Sequence, residues 1–214
     1  MSDSYFSAVR KLLSIRAAAA RIEIDDGTIS ALEAYYGLLS HWNKRINLTG
    51  LSLELPTEPA IDRLLIEPLV AARELLTDET WVDFGSGGGS PAIPMKVIRP
   101  ESSLTMVESK TKKAAFLREV VRELRLPRAT VIEGRFSELR SRADMAESAA
   151  LITARGVRQD EELFDAASAL LRVHGRVALF SSAGSMPLEV PSGFSRPQVV
   201  PMFQTTVLCL YRRL

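Results

Sequence analysis

Chemistry concentrates in one stretch, "WVDFGSGGGSPAIP", residues 81–94. Gly85, Gly87, Gly88 and Gly89 follow an apolar run that contains Asp83. Glycine reaches positive φ freely and lets a ligand lie against bare backbone. Gly87, Gly89 and Ala92 satisfy the G-x-G-x-x-A of a dinucleotide fingerprint, in which N–H groups at a helix start hold a pyrophosphate. Pro91 and Pro94 argue against that ligand. Each removes a donor from the start of the helix, where proline is tolerated but makes a poor phosphate cradle. The pattern suits a nucleoside ligand without phosphate. S-adenosylmethionine has that chemistry: adenine, ribose and a methionine tail carrying a sulfonium. A tight strand-to-helix turn with no ligand is the plainer reading, but so many glycines exceed what a turn requires.

Glu108 ends the next apolar run, at the roughly 20-residue spacing from which an acidic side chain can accept hydrogen bonds from both ribose hydroxyls. Arg155 stands just after a later apolar run and reads as a contact to cofactor or substrate. Lys110, Lys112 and Lys113 open a helix, where cations oppose the dipole. That placement hints at phosphate, and with Lys44, Arg45, Arg135 and Arg158 they form a candidate basic rim for RNA. A solvated face accounts for them equally well. His41 and His174 lie apart from these residues with no partners at metal-ligand spacing, so no metal site is expected. Cys209 sits in "TTVLCLYRR" and reads as core. Trp42 falls at helical spacing with Leu39 and reads as core before it reads as an RNA contact.

The elements that must position these residues follow from periodicity. The first third reads helical, in "YFSAVRKLLSIRAAAAR", "TISALEAYYGLLSHWN" and "PAIDRLLIEPLVAARELL", with Pro68 marking a kink or a start. From residue 80 the texture changes to short apolar runs: "TWVDF", "SLTMVE", "ATVIE", "ALITA" and "RVALF". Helix-like segments at 91–98, 110–124, 136–146 and 160–172 separate them. Alternating strands and helices predict right-handed βαβ units and a parallel sheet covered on both faces. The tail "PQVVPMFQTTVLCLYRR" holds two strand-like runs with no helix between them, and predicts a terminal hairpin with at least one antiparallel strand. Residues 181–197 form the one long loop. The division expected is a helical extension, 1–58, and a Rossmann-like α/β domain, 59–214.

Bulk properties narrow the class. The chain has 214 residues, 27 Lys and Arg against 26 Asp and Glu, and a formal charge of +1. Nucleic acid must therefore be met by a local patch rather than by a global field. A single cysteine excludes an internal disulfide and fits a reducing compartment. No apolar run approaches the ~20 residues of a membrane span, and the first residues lack a secretory pattern. A cytoplasmic monomer is expected.

Four blocks carry a family resemblance. "HWNKRINLTG" (41–50), "VDFGSGGGSPAIPMKVIRPE" (82–101), "MVESKTKKAAFLREVVREL" (106–124) and "ITARGV" (152–157) resemble, in order, the bacterial ribosomal RNA small subunit methyltransferase G family, also called glucose-inhibited division protein B. The resemblance implies the class I S-adenosylmethionine-dependent methyltransferase fold: seven strands, the last antiparallel, with an N-terminal helical extension. It implies methyl transfer to N7 of one guanine in small-subunit rRNA, with the rRNA or the small subunit as partner. It further implies cofactor contacts at Gly85, Ser90, Phe136, Ser137 and Arg155, which Asp83, Gly87 and Glu108 join by position. The chain departs from the family pattern at Ser90 (a bulky Phe or Leu), Ala92 (Gly), Leu64 (His), Glu67 (Asp) and Ala150 (Asp).

Guanine N7 carries a free lone pair at neutral pH, so methyl transfer to it needs alignment rather than a general base. No Asp/Asn-Pro-Pro-Tyr/Phe segment follows the fourth apolar run, which is consistent with that chemistry. Two other readings stand beside it. One is a methyltransferase of the same fold acting on another nucleic acid or on a small molecule. The other is a catalytically silent RNA-binding or ribosome-assembly factor.

Overall fold

The computed structural model describes residues 2–75, 79–182, 190–203 and 206–214. Helix α1 (Asp3–Ala19) buries Val9, Leu13 and Ala17, one residue per turn along a single stripe. Helix α2 (Asp26–Asn43) starts where the Asp25 side chain accepts from Thr28 N at 2.6 Å. It buries Ile29, Leu32, Tyr35, Tyr36 and Leu39. Arg10 of α1 ties the two helices through Glu33, Asp26 and Ser30.

The third helical segment, α3, runs as Glu58–Ile61, a π-helical turn Asp62–Ile66, and Glu67–Leu75. Arg16 of α1 anchors it through the buried Asp62, at 2.7 and 2.8 Å. Pro68 explains the π-turn. It lacks the N–H that an α-helix would offer to the Leu64 carbonyl and a π-turn to the Arg63 carbonyl. Glu67 N reaches back to Asp62 O instead. Pro68 thus stands in the first turn of the α-helical part Glu67–Leu75, just after the widened turn, in keeping with the kink or start expected there.

The seven strands are β1 (Thr80–Phe84), β2 (Ser103–Glu108), β3 (Ala129–Glu133), β4 (Ala149–Arg155), β5 (Leu171–Ser182), β6 (Gln198–Pro201) and β7 (Thr206–Arg212). They form one sheet in the order β3-β2-β1-β4-β5-β7-β6. Strands β1 to β5 pair in parallel, and β7 runs antiparallel to both β5 and β6. The expected terminal hairpin is therefore β6–β7, inserted with β7 against β5. Between the strands lie α4 (Ala92–Ile98), α5 (Thr111–Glu123), a 3₁₀ turn (Phe136–Ser141) and α6 (Glu161–Leu170).

Alternation along the strands splits the core in two. Trp81, Leu104, Met106, Leu151 and Ala178 face a cluster that takes in α1, α2, α3, α4 and α5. Val82, Phe84, Ile152, Val177, Leu179 and Cys209 face a second cluster with Leu139 and α6. The helices of residues 1–58 therefore lie in the same apolar cluster as one sheet face. Cys209 is buried core, as its context suggested, and burial pushes its thiol up.

Two segments differ from the periodicity. The helix expected over 136–146 is only the 3₁₀ turn, since few apolar residues follow Leu139 and that stretch is largely exposed. The helix expected to reach 172 ends at Leu170, because Leu171 already pairs with Ala149 across an irregular register. Of the long loop at 181–197, residues 183–189 lie outside the described residues. Phe194 bridges Arg213.

Candidate functional site

The strand order reverses between β1 and β4, and the loops after these two strands open a cavity of about 460 Å³. One wall is the glycine loop. Gly85, Gly87 and Gly89 have φ of 66°, 52° and 88°, the left-handed region that favours glycine. Added carbon would be refused for different reasons along the loop. At Gly89 a Cβ would stand 2.7 Å from Ile93 Cγ1, and at Gly85 it would stand 2.7 Å from Val157 Cγ2. At Gly87 the nearest such neighbour is the Gly85 carbonyl oxygen at 3.7 Å, so this position is open. Gly88 packs against α2 and the loop after it, with Leu48 O at 3.1 Å from the Cβ position. The loop is thus partly a packing device, and Gly87 presents the bare backbone.

The expected helix start with two prolines is present. Pro91 is the N-cap of α4, the Ser90–Pro91 peptide is cis, and Pro94 lies in the first turn. Gly89 N donates to Ser86 O at 2.7 Å and Ile93 N to Gly89 O at 2.6 Å, which closes the loop on itself.

The opposite wall comes from the 41–50 block and its neighbours, at residues not expected as cofactor contacts. Leu39, Leu48, Thr49, Gly50 and Leu51 line it. Asn43, at the end of α2, holds this wall: its Oδ1 accepts from Leu48 N at 2.9 Å and from Thr49 N at 3.0 Å. Tyr35 of α2 donates to Gly88 O at 2.7 Å and ties the two walls together. Trp42 packs on Phe116 and donates to Glu119 at 3.2 Å, which is a core role.

Arg155 reaches the cavity but is nearly buried, with its side chain 8% exposed. It meets Glu67 at 2.7 Å and lies over the Phe180 ring at 4.4 Å. It also donates to Arg63 O and approaches Ser90 Oγ at 3.4 Å. Ser90 in turn donates to Leu64 O at 3.0 Å. The two carbonyls that Pro68 deprives of donors are therefore served by Arg155 and Ser90. Burial pushes Glu67 up and Arg155 down, to about 10; the charge of each opposes the shift of the other.

Asp83 lies beneath the loop on the Trp81 face. Thr153, its register partner on β4, donates to Asp83 Oδ1 at 2.5 Å and accepts from Trp81 Nε1 at 3.0 Å. Asp83 Oδ2 is buried with no partner. Burial pushes the carboxyl up to about 6; the hydroxyls of Ser86 and Thr153 and the charge of Arg155 oppose this, while Glu108 adds to it.

Glu108 is buried and turned to the loop. It accepts from Gly87 N and from Lys110 N, both at 2.8 Å. Each carboxylate oxygen has a second acceptor site. Phe136 stacks on Phe84 at 4.7 Å, and with Ser137 it stands outside the cavity walls. Of the basic residues singled out, Lys113 lines the cavity and Arg158 pairs with Asp160 at 3.4 Å. Lys44, Arg45, Lys110, Lys112 and Arg135 are exposed and outside it. Arg63, not among the expected site residues, is exposed and lines the cavity. His41 and His174 lie elsewhere, and the described residues hold no cluster of three metal-ligating side chains. Among them no helix is long and apolar enough to cross a membrane.

A seven-stranded sheet with an antiparallel β7 and a glycine-walled cavity at the switch point defines the class I methyltransferase fold. Solved structures agree. A SAM-dependent methyltransferase from Aquifex aeolicus superposes with a TM-score of 0.60 at 12% identity, over 73% of this chain and 94% of that one. A precorrin-6y C5,15-methyltransferase from Geobacter metallireducens gives 0.51 at 16%, over 74% and 90%.

The chain belongs to the rRNA small subunit methyltransferase G family, whose profile matches residues 28–186. A ribosomal RNA small subunit methyltransferase G from Neisseria meningitidis is 39% identical over 62% of this chain, a match that spans 63% of the relative's own length. One from Xanthomonas axonopodis is 34% identical over 84% of this chain and 82% of its own.

Proposed function

We propose that this chain transfers a methyl group from S-adenosylmethionine to N7 of a guanine in small-subunit ribosomal RNA. The observation that carries the proposal is the make-up of the cavity at the β1–β4 switch point, in a chain of this family. Among the described residues its walls present backbone, hydroxyls, apolar side chains and the cations Arg63, Lys113 and Arg155, with no carboxylate, imidazole or thiol. A volume of about 460 Å³ falls in the range of small-molecule sites.

The residues present fit the cofactor. Gly85 and Gly87 would receive it against bare backbone, and Ser90 and Arg155 would frame it from the α3 side. Glu108, beside the glycine loop and outside the cavity lining, would offer its remaining acceptor sites to ribose hydroxyls. Asp83 supports the loop from beneath, and Phe136 and Ser137, expected as cofactor contacts, stand outside the cavity walls. Bound there, S-adenosylmethionine would supply an electrophilic methyl group on sulfur. Arg155 acts in this scheme as a positioning residue, because its guanidinium is already engaged by Glu67, Arg63 O and Phe180.

The target nitrogen needs no deprotonation, so the chain's task is to align it and to exclude water. In A-form RNA the major groove is too deep and narrow for a protein to reach N7 of a paired base. The guanine would therefore enter unstacked or flipped, between the 48–51 wall and the glycine loop. In this reading the exposed cations Lys44, Arg45, Lys110, Lys112 and Arg135, together with Arg63 on the cavity itself, would meet RNA phosphates. We further propose a cytoplasmic monomer, acting on rRNA or on the small subunit.

The test incubates isolated small subunits with the protein and labelled S-adenosylmethionine, then maps the methylated nucleotide. One N7-methylguanine is the expected product. Cofactor binding without any rRNA methylation would leave the fold but refute the reaction.

A further inference from the structure

The cavity above lies at the carboxyl ends of the strands. At their amino ends the surface holds a larger groove, about 910 Å³. Its walls are the connections that lead into β2 and β3, residues 96–100 and 124–127, with residues 21–28 and Arg73. Strands of five or six residues separate the two sites by roughly 17–20 Å.

The groove is basic. Arg21, Arg73, Arg99 and Arg125 line it, against Glu23 and Asp25. Asp25 is engaged in capping α2. Among the described residues no ion pair joins any of these four arginines to an acid. Arg99 Nε is buried with no partner. Arg73 reaches Arg21 O at 2.8 Å, which leaves the Arg21 guanidinium free of it.

Cations at helix ends have a structural explanation, since α1, α4 and α5 all finish here and present the negative ends of their dipoles. The backbone argues for more than that. Arg21 and Arg125 sit just beyond α1 and α5 at φ of 55° and 48°. Glycine takes such positions without strain. Arginine occupies both, with its side chain exposed and without a side-chain partner. Dipole compensation can be met from a neighbouring unstrained position, so it does not account for a cation at either left-handed position.

We propose that this groove is a second RNA-contact surface, which binds phosphodiester oxygens of small-subunit RNA away from the methylated guanine. Arginine suits this through its planar fork of donors. A folded RNA with several helices spans the distance between the two sites. The proposal rests on the rRNA-substrate reading above, and adds that the substrate is gripped at both ends of the sheet.

The test compares the parent protein with the double variant Arg21→Gly, Arg125→Gly. Glycine removes the charge and suits the backbone, so melting temperature and S-adenosylmethionine binding are expected to hold. Affinity for deproteinised small-subunit rRNA is expected to fall about tenfold at physiological salt, and the slope of log affinity against log salt to shrink by about 1.5. Arg99→Gln, with no left-handed position involved, is expected to shift both quantities the same way by a smaller amount. A variant that binds rRNA with unchanged affinity and slope would overturn the groove's role alone. A parent that binds S-adenosylmethionine but no rRNA at any salt would overturn the rRNA reading with it. RNA loss accompanied in both variants by lower melting temperature and weaker cofactor binding would assign the arginines to the fold instead.

Discussion

Asn43 shows how one side chain can build a wall of a site it does not enter. Its Oδ1 collects the N–H groups of Leu48 and Thr49 and so shapes the segment facing the glycine loop. Asn43→Ala orphans both donors, and is expected to cost about 1–3 kcal/mol of stability and to weaken S-adenosylmethionine binding in calorimetry. Asn43→Asp keeps the acceptor and is expected to restore most of that binding. Equal affinities in all three proteins would mean the wall does not matter. Asp83 makes a different kind of test. Its folded value, about 6, lies above the ordinary 3.8 because burial penalises the charged form. Folding therefore favours the protonated acid. That contribution is fully present below the unfolded value and is lost as pH rises through about 6. Asp83→Asn stays neutral throughout. Relative to the parent, it is expected to gain stability between about pH 4 and 6 and to keep a constant difference above that range. Denaturant titrations at several pH values check this, and parallel pH curves would contradict it.

The elements of the site are coupled through α3, a helix that periodicity located but whose π-turn it did not foresee. Pro68 leaves the carbonyls of Arg63 and Leu64 to Arg155 and Ser90, one from β4 and one from the glycine loop. Ser90 thus serves a carbonyl that Pro68 leaves without its helical donor. Ser90→Ala is expected to destabilise by about 1–3 kcal/mol. In a Pro68→Ala background the restored N–H can serve Leu64 O, so the same change should cost at least 1 kcal/mol less. Additive effects in that double-mutant cycle would contradict the pairing. Much at this scale was legible beforehand. The apolar runs gave all five parallel strands because buried strands in such sheets read as continuous hydrophobic segments. Glycine and proline located the loop that walls the cavity. What was not legible were long-range partners: Tyr35 on Gly88 and the buried pair Glu67–Arg155. Nothing in local spacing marks a residue that acts across 40 or more positions. The 136–146 segment failed for the opposite reason, a helix-like composition with too few apolar residues to bury.

Across the whole molecule the N-terminal region takes part in the cavity, because Leu39 of α2 and the segment after that helix close what the loops after β1 and β4 open. The proposed reaction uses this enclosure to align a base rather than to remove a proton. The measurement that bears most directly on it replaces the target guanine with 7-deazaguanine in the RNA. That change keeps base pairing and removes only the N7 lone pair. Methylation at that nucleotide is expected to vanish while rRNA binding persists. Continued methylation of the 7-deazaguanine substrate at the same nucleotide would contradict attack by N7 and place the methyl group on an exocyclic or ribose atom.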